Sequence, residues 1–292
     1  MNEQHPEPGL AELPRCFRHP DRETGARCNR CDRPICPDCL RPASVGYWCP
    51  ECTAAANARM RTARAPYGGT AVGGALVTTV LVALNVAAYV LTAFSSPDGF
   101  LHNDSSTIFE RLALWPPAIG GRHEYWRLGT SMFLHIGPWH LLVNMLALGM
   151  VGAQLEPVFG RGRYLALYLL AGLGGSVAVY LFGSPCTVTA GASGALFGLF
   201  GALLVVVRRL RYDARPILAV IVIILLITFT IPNISKLGHV GGLVTGVLAA
   251  VVIVYAPKGN RVVTQGVGLG LLAALLIGLV LRTGQPMCLI GG

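Results

Sequence analysis

The chain has 292 residues, of which 53% are apolar and 13% are charged. This composition excludes an ordinary soluble domain and indicates a polytopic membrane protein. The formal net charge of +9 is not by itself a nucleic-acid signal. Much of the positive charge lies in the polar segment 1–66 and in short loops between apolar runs, where it can orient a membrane protein.

The polar segment carries four close pairs of metal-ligating residues, and two residues separate the members of each pair. This spacing is typical of zinc ligands. Eight ligands are enough for two tetrahedral zinc ions, and we expect both sites to be structural because neither needs an open position. The segment has few large apolar residues, so metal is expected to replace a hydrophobic core. The pairs are Cys16 and His19, Cys28 and Cys31, Cys36 and Cys39, and Cys49 and Cys52.

The four pairs together resemble a B-box-type zinc finger. The resemblance implies that the first and third pairs share one metal and that the second and fourth pairs share the other, although a sequential pairing stays open. We expect the finger to bind a cytoplasmic protein partner or to regulate the membrane part. No nucleic acid is expected as a partner, since the arginines of the segment are scattered without an evident helix to present them to a groove.

Seven apolar runs, each interpreted as a transmembrane helix, follow the polar segment. The connection 95–138 between the first two is long and contains aromatic and polar residues, whereas the other connections are short. The predicted helices cover 72–94, 139–156, 163–183, 193–207, 216–231, 237–255 and 265–281.

These features predict a domain organisation in which a small zinc-binding domain precedes an all-α membrane domain. The connecting segment carries arginines that would lie near anionic lipid headgroups. The expected parts are a flexible N-terminus over 1–15, the zinc-binding domain over 16–52, a linker over 53–71, the membrane domain over 72–282 and a C-terminal tail over 283–292.

Basic residues in the short loops fall on one side of the predicted helices, which places the N-terminus in the cytoplasm and, after seven crossings, the C-terminus outside the plasma membrane. The loop 184–192 on the opposite side has no charge, and 232–236 has only Lys236. The residues on the cytoplasmic side are Arg59, Arg61, Arg64, Arg161, Arg163, Arg208, Arg209, Arg211, Arg215, Lys258 and Arg261.

Four polar residues come to one depth in this arrangement. Ser193 lies about 22 Å from the cytoplasmic end of its helix at 1.5 Å per residue. In a hydrocarbon core about 30 Å thick, that is roughly 8 Å below the outer surface. The same arithmetic puts His239 about 24 Å, and His140 and Asn144 about 27 and 21 Å, above the cytoplasmic ends of their helices.

The common depth of these residues favours a functional role over a structural one. A single serine in a membrane helix usually bonds to a backbone carbonyl or packs as a small residue. Four polar side chains at one level are harder to explain in this way, because unsatisfied polar groups in hydrocarbon are costly. A serine hydroxyl becomes a nucleophile when an adjacent base takes its proton, and His239 is the candidate base. His140, Asn144 and the backbone N–H of Ser193 are candidate donors to a substrate oxyanion.

At these residues the sequence resembles the rhomboid family of intramembrane serine proteases, over about residues 72–255. The motifs are "GASG" from Gly191, "HLLVN" from His140, "GHVGGLVTG" from Gly238 and "YWR" from Tyr125. The resemblance implies a six-helix bundle, here extended by a seventh C-terminal helix, and a Ser193–His239 dyad that needs no cofactor. It also implies that substrates are transmembrane segments of other proteins, cut near their outer end.

The resemblance assigns supporting roles to further residues. His140 and Asn144 match the oxyanion-hole positions, and His135 matches a family histidine that supports the cavity. Phe197 stands where many members have a tyrosine stacked on the catalytic histidine. Gly191 and Gly194 match glycines that support the active site. Trp126 and Arg127 match a first-loop motif that stabilises the fold.

Two other functions compete with this interpretation. A catalytically silent rhomboid-like protein would bind transmembrane helices and use the zinc finger as an adaptor, but such relatives usually lack the serine or the histidine. A transporter is disfavoured, since the apolar helices have few charges and no evident inverted repeat. Two further cysteines, Cys186 and Cys288, both fall on the outer side, where they either form a disulfide or stay as separate thiols.

Overall fold

The computed structural model describes residues 12–59, 65–69, 73–232 and 234–283. The chain forms two compact units, residues 1–62 and 63–292. Most of the predicted N-terminal stretch 1–15 and of the tail 283–292, including Cys288, lies outside the described residues, as do parts of the linker 53–71. The disulfide between Cys186 and Cys288, one of the two alternatives that the sequence leaves open, therefore stays a hypothesis.

The first unit is small and has a core made largely of cysteine side chains. Ile35 is fully buried there among Cys16, Cys28, Cys36, Cys39 and Cys49. A two-stranded antiparallel sheet, β1 (Arg41–Pro42) and β2 (Tyr47–Trp48), is followed by helix α1 (Pro50–Arg59). Such a core buries little hydrocarbon, as expected for a fold that depends on metal.

The second unit is helical, and in its described residues seven helices have 16 or more residues. Their positions match the seven predicted apolar runs to within a few residues. Five of them are long and apolar enough to cross a membrane, whereas the helices starting at Ser193 and Arg215 have 17 and 16 residues and are shorter. The helices are α2 (Leu76–Ser95), α3 (Thr107–Leu112), α4 (Pro116–Arg122), α5 (Arg127–Thr130), α6 (Gly137–Phe159), α7 (Arg161–Phe182), α8 (Ser193–Arg209), α9 (Arg215–Thr230), α10 (Lys236–Tyr255) and α11 (Arg261–Arg282).

Helices α8 and α10 pack backbone to backbone because both carry glycines on the contacting faces. A Cβ atom added at Gly242 would overlap the carbonyl of Gly194, and one added at Gly246 would overlap the backbone of Gly198. Small residues allow the close van der Waals packing on which helix association in membranes depends, because the hydrophobic effect does not act between helices in lipid.

A buried carboxylate joins α2 to α6 at one end of the unit. Glu156 has no exposed surface and accepts hydrogen bonds from the backbone N–H groups of Val77 and Thr78, at 2.9 and 2.8 Å. The Thr78 hydroxyl adds a third bond at 2.9 Å. Since the first N–H groups of a helix have no partner within the helix, Glu156 acts as the cap that α2 lacks in its own sequence.

Candidate functional site

Ser193 is the first residue of α8 and follows a loop with two points of attachment. Leu114 in the long first connection exchanges two backbone hydrogen bonds of 2.9 Å with Thr189, and the N–H of Gly191 donates to the carbonyl of Ser131 at 2.9 Å. Gly191 has a φ of +139°, a conformation that side-chain-bearing residues rarely adopt. The chain can therefore turn sharply into α8 and leave Ser193 partly exposed.

His239 lies in the first turn of α10, next to the residues that surround Ser193. Its chain neighbour Gly238 contacts Gly194, since a Cβ added to Gly194 would be 3.1 Å from the Gly238 carbonyl oxygen. The ring of Phe197 stacks on the His239 ring, with centroids 4.2 Å apart and planes inclined by 20°. His239 is 6% exposed, so the ring is held on a buried face of α10. The structure thus brings the predicted nucleophile and base to the same α8–α10 contact.

His140 and Asn144 approach the same site from α6. A Cβ added at Gly191 would be 3.0 Å from His140 Nε2 and 3.6 Å from Ser193 Oγ, so both atoms border the same point. The N–H of Ile136 donates to His140 Nδ1 at 3.3 Å. Nδ1 is then an acceptor, and the proton of a neutral His140 ring must be on Nε2, which faces the site. Asn144 Nδ2 donates to the carbonyl of His140 at 2.7 Å, which uses one of its two amide protons.

His135 packs against the ring of His140. It is fully buried, and its ring packs edge-on against His140 with centroids 5.0 Å apart. Asn103 holds this region in place, donating to the His135 carbonyl at 2.8 Å and accepting from the Gly137 N–H at 2.9 Å. The contribution of Asn103 was not foreseen in the sequence, because nothing in its local pattern distinguishes it from a loop asparagine.

Arg127 holds together the long connection between α2 and α6. Its side chain is buried, donates to Glu124 at 2.6 Å, and donates to the backbone carbonyls of Glu110 and Ala113 at 2.6 and 2.8 Å. Trp126 is 54% exposed, and the one hydrogen bond of its side chain is a long one, 3.4 Å to the Arg111 carbonyl. Of the two motif residues, Arg127 therefore makes the contacts that order this connection.

The eight predicted metal ligands form two groups in the first unit, and the pairs interleave as the resemblance implied. Within each group the ligand atoms all lie within 4.8 Å of one another. The sequential pairing that the sequence left open does not occur. One group is Cys16, His19, Cys36 and Cys39, and the other is Cys28, Cys31, Cys49 and Cys52.

The environment of the thiols suits a cation. Burial opposes ionisation of Cys16, but backbone N–H groups of Cys36, Arg18 and His19 outweigh it and lower the pKa of Cys16 to about 6. Burial and the neighbouring thiols of Cys16 and Cys36 raise the pKa of Cys39 to about 11. Thiolates crowded in this way repel one another, and a divalent cation between them removes the repulsion.

The fold and the serine–histidine cluster define a multi-pass, helical membrane protein with a polar site at the α6–α8–α10 contact. A family model described as the rhomboid domain matches residues 122–256. Rhomboid protease GluP of Bacillus subtilis (strain 168) is 43% identical over 160 residues, which are 53% of this chain and 31% of that protein. RHOMBOID-like protein 1 of Arabidopsis thaliana is 37% identical over 161 residues, 53% of this chain and 41% of that protein.

A shorter relative is matched over most of its length. The rhomboid relative YdcA of Bacillus subtilis (strain 168) is 32% identical over 148 residues, 47% of this chain and 74% of that protein. The chain belongs to the rhomboid family, and the resemblance seen in the sequence is confirmed. This chain spans less than half the length of GluP and of RHOMBOID-like protein 1. Membership of the family therefore does not establish that the chain shares the activities of those whole proteins.

Proposed function

We propose that the chain is an intramembrane serine endopeptidase that cleaves transmembrane segments with a Ser193–His239 dyad near the outer side of the bilayer. The observation that carries the proposal is the close approach of Gly194 and Gly238, the chain neighbours of Ser193 and His239, with His140 Nε2 and Ser193 Oγ both bordering Gly191. Family membership and the name of the GluP relative, a rhomboid protease, support it. No cofactor is needed for this chemistry.

In this mechanism His239 takes the proton of Ser193 Oγ as the oxygen attacks the scissile carbonyl. Charge then develops on the substrate oxygen, which needs donors aimed at it. His140 Nε2–H, the second amide proton of Asn144 and the backbone N–H of Ser193 are available for that oxygen. His239 returns the proton to the leaving amine, and water, activated by the same ring, hydrolyses the acyl-enzyme.

The supporting residues have physical roles in this scheme. Phe197 limits the rotation of the His239 ring, His135 limits that of His140, and the glycines at 191 and 194 leave room for the substrate backbone. A substrate helix must unwind before it enters, because a helix shields its carbonyls with its own hydrogen bonds. Substrates with small or helix-weakening residues at the cut are therefore expected.

The proposal is tested by reconstituting the full chain in liposomes with a fluorescent transmembrane substrate. Ser193→Ala is the test variant, and Ser184→Ala, an exposed serine of the same loop, is the matched control. Cleavage by the parent and the control but not by Ser193→Ala supports the dyad. If none cuts, a fluorophosphonate probe that labels the parent and not Ser193→Ala still supports an active serine. Absence of labelling overturns the proposal in favour of a silent helix-binding rhomboid.

The orientation belongs to the same proposal. We expect a plasma-membrane location with the N-terminus in the cytoplasm and the C-terminus outside, supported by the basic loops. With this orientation the site opens toward the outer side and the cysteine-rich unit faces the cytoplasm, where disulfides are disfavoured. The division into a zinc-binding domain over 16–52, a linker over 53–71 and a membrane domain over 72–282 is part of this arrangement.

The two ligand groups are proposed to hold one structural zinc ion each. Tetrahedral zinc with Zn–S and Zn–N distances of about 2.3 and 2.0 Å brings its ligand atoms about 3.5 to 3.8 Å apart. The distance from Cys16 Sγ to Cys39 Sγ is 3.9 Å, from Cys31 Sγ to Cys49 Sγ 3.8 Å, and from His19 Nδ1 to Cys39 Sγ 3.5 Å. The donor set therefore fits zinc, which would contribute folding energy rather than chemistry. A cytoplasmic protein, and not nucleic acid, is the expected partner of this domain.

A further inference from the structure

A hydroxyl on α9 lies within hydrogen-bonding distance of the proposed base. Thr228 Oγ1 is 2.7 Å from His239 Nδ1, and both side chains are buried. The same hydroxyl is 2.8 Å from the carbonyl oxygen of Ile224, one turn earlier in α9. No motif marks Thr228, since a threonine in an apolar helix usually bonds to its own backbone.

The two contacts together determine where the protons are. A carbonyl oxygen is only an acceptor, so the contact with Ile224 requires the hydroxyl of Thr228 to donate its one proton there. The hydroxyl oxygen can then only accept from His239, whose Nδ1 must carry a hydrogen. A neutral imidazole has one ring proton, so Nε2 is left with a lone pair, as a general base requires.

The geometry points to Thr228 as the positioning residue that sets the tautomer and orientation of His239. This inference rests on the proposed dyad and adds a third group to it. In serine hydrolases the group behind the histidine is commonly a carboxylate, which also stabilises the imidazolium by charge. A neutral hydroxyl on a membrane helix orients the ring without placing a second charge in hydrocarbon.

The helix that carries Thr228 is weakly held by the rest of the protein. Across α9, whose residues are all described, the buried residues are Ile221 and Thr228, and most others are exposed. The hydrogen bond to His239 is therefore a main polar contact of α9 with the bundle. Displacement of α9 would remove the partner of Nδ1, so the competence of the base depends on the position of this helix.

The test compares Thr228→Val, which keeps the shape and removes the hydroxyl, with Thr228→Ser, which keeps the hydroxyl. The matched control is Thr230→Val on the same helix, where the exposed hydroxyl bonds only to α9 carbonyls. In the liposome assay we expect Thr228→Val to lower kcat about 10- to 100-fold with little change in KM. Thr228→Ser should recover most of the rate, and Thr230→Val should behave as the parent.

A spectroscopic measurement separates this inference from the proposed function. The ¹⁵N shifts of histidine-labelled protein, with His239 assigned by its absence in His239→Ala, report which ring nitrogen carries the proton. The parent should show a protonated Nδ1 on His239, and Thr228→Val should lose that preference. This readout does not require cleavage, so it holds even if no substrate is cut. Unchanged ¹⁵N shifts in Thr228→Val overturn the inference, as does an unchanged kcat in a preparation that is active.

Discussion

Phe197 is the aromatic side chain that packs on the proposed base. Its ring is stacked on His239, and it is itself buried and packed against Phe200 with centroids 6.4 Å apart. The hydroxyl of the tyrosine found in many rhomboids is not needed for that contact. The stacking restricts the imidazole to a plane parallel to Phe197, which leaves the hydrogen bond at Nδ1 to decide the remaining rotation.

Removal of the Phe197 ring should therefore impair the base, whereas restoring a hydroxyl should not. We expect Phe197→Ala to lower kcat/KM about tenfold, the size of one aromatic contact, and Phe197→Tyr to stay near the parent. The liposome assay measures both, with Phe182→Ala, an exposed phenylalanine at the end of α7, as control. Equal activity of Phe197→Ala and the parent would show that stacking does not position His239.

The protonation of His140 leads to a separate prediction. Because its Nδ1 accepts from the Ile136 N–H, Nε2–H is available as an oxyanion donor. Loss of one such donor typically costs about 10²- to 10³-fold in kcat. We expect a loss of this size in His140→Ala, measured with the transmembrane substrate, and no loss in His123→Ala, an exposed histidine of the first connection. A His140→Ala enzyme with normal kcat would remove His140 from the oxyanion hole.

At the scale of elements, the site depends on how closely α8 and α10 approach. Gly194 and Gly238 contact each other directly beside Ser193 and His239, so the proposed nucleophile and base start from backbones in van der Waals contact. A larger residue at these glycines would separate the two helices and therefore also Ser193 from His239. Glu156 and Arg127 also join separate elements, because the side chain of each forms hydrogen bonds with backbone groups of another segment.

Gly246→Val should therefore destabilise the bundle. The added side chain would overlap the backbone of Gly198, and overpacking of this kind costs about 1–3 kcal/mol or more. Thermal unfolding in detergent should show a lower Tm, together with reduced activity because the α8–α10 contact widens. The control is Gly270→Val on α11, where an added Cβ meets open space. A Tm of Gly246→Val equal to that of the control would contradict the packing argument.

At the scale of the whole molecule, the chain combines two units with different sources of stability. The membrane unit buries aromatic and aliphatic side chains, among them Tyr164, Tyr168 and Leu199. The first unit buries mostly cysteines, and the proposed metal ions would hold its pairs together. Each unit has its own core. Removal of metal should therefore unfold the first unit and leave the helical core of the second unit folded.

Metal analysis of double variants tests the interleaved sites. Cys16→Ser with Cys36→Ser removes ligands from one interleaved group, so about one of the two expected zinc ions should remain. Cys16→Ser with Cys28→Ser removes a ligand from each group, and little zinc should remain. Sequential pairing would give the reverse pattern. Elemental analysis of the purified full chain measures the zinc content, and a parent protein without zinc would refute the zinc assignment itself.

Much of the architecture could be predicted because its determinants are local. The apolar runs predicted the seven long helices, since a membrane helix satisfies its backbone hydrogen bonds within its own segment. The pairs such as Cys28 and Cys31 were visible because two ligands of one metal lie a few residues apart. Ser193 and His239 were recognisable because each stands in a glycine-rich motif that the family shares.

Only the tertiary structure decided which of these local features meet. The interleaving of the cysteine pairs, the capping of α2 by Glu156 and the hydrogen bond between His239 and Thr228 join residues on different elements. Such contacts leave no periodicity or spacing in the sequence, because the distance between partners along the chain is set by the fold and not by the chemistry of the contact. The amino-acid pattern determined the helices, the ligand pairs and the candidate nucleophile and base, and packing in three dimensions decided their partners.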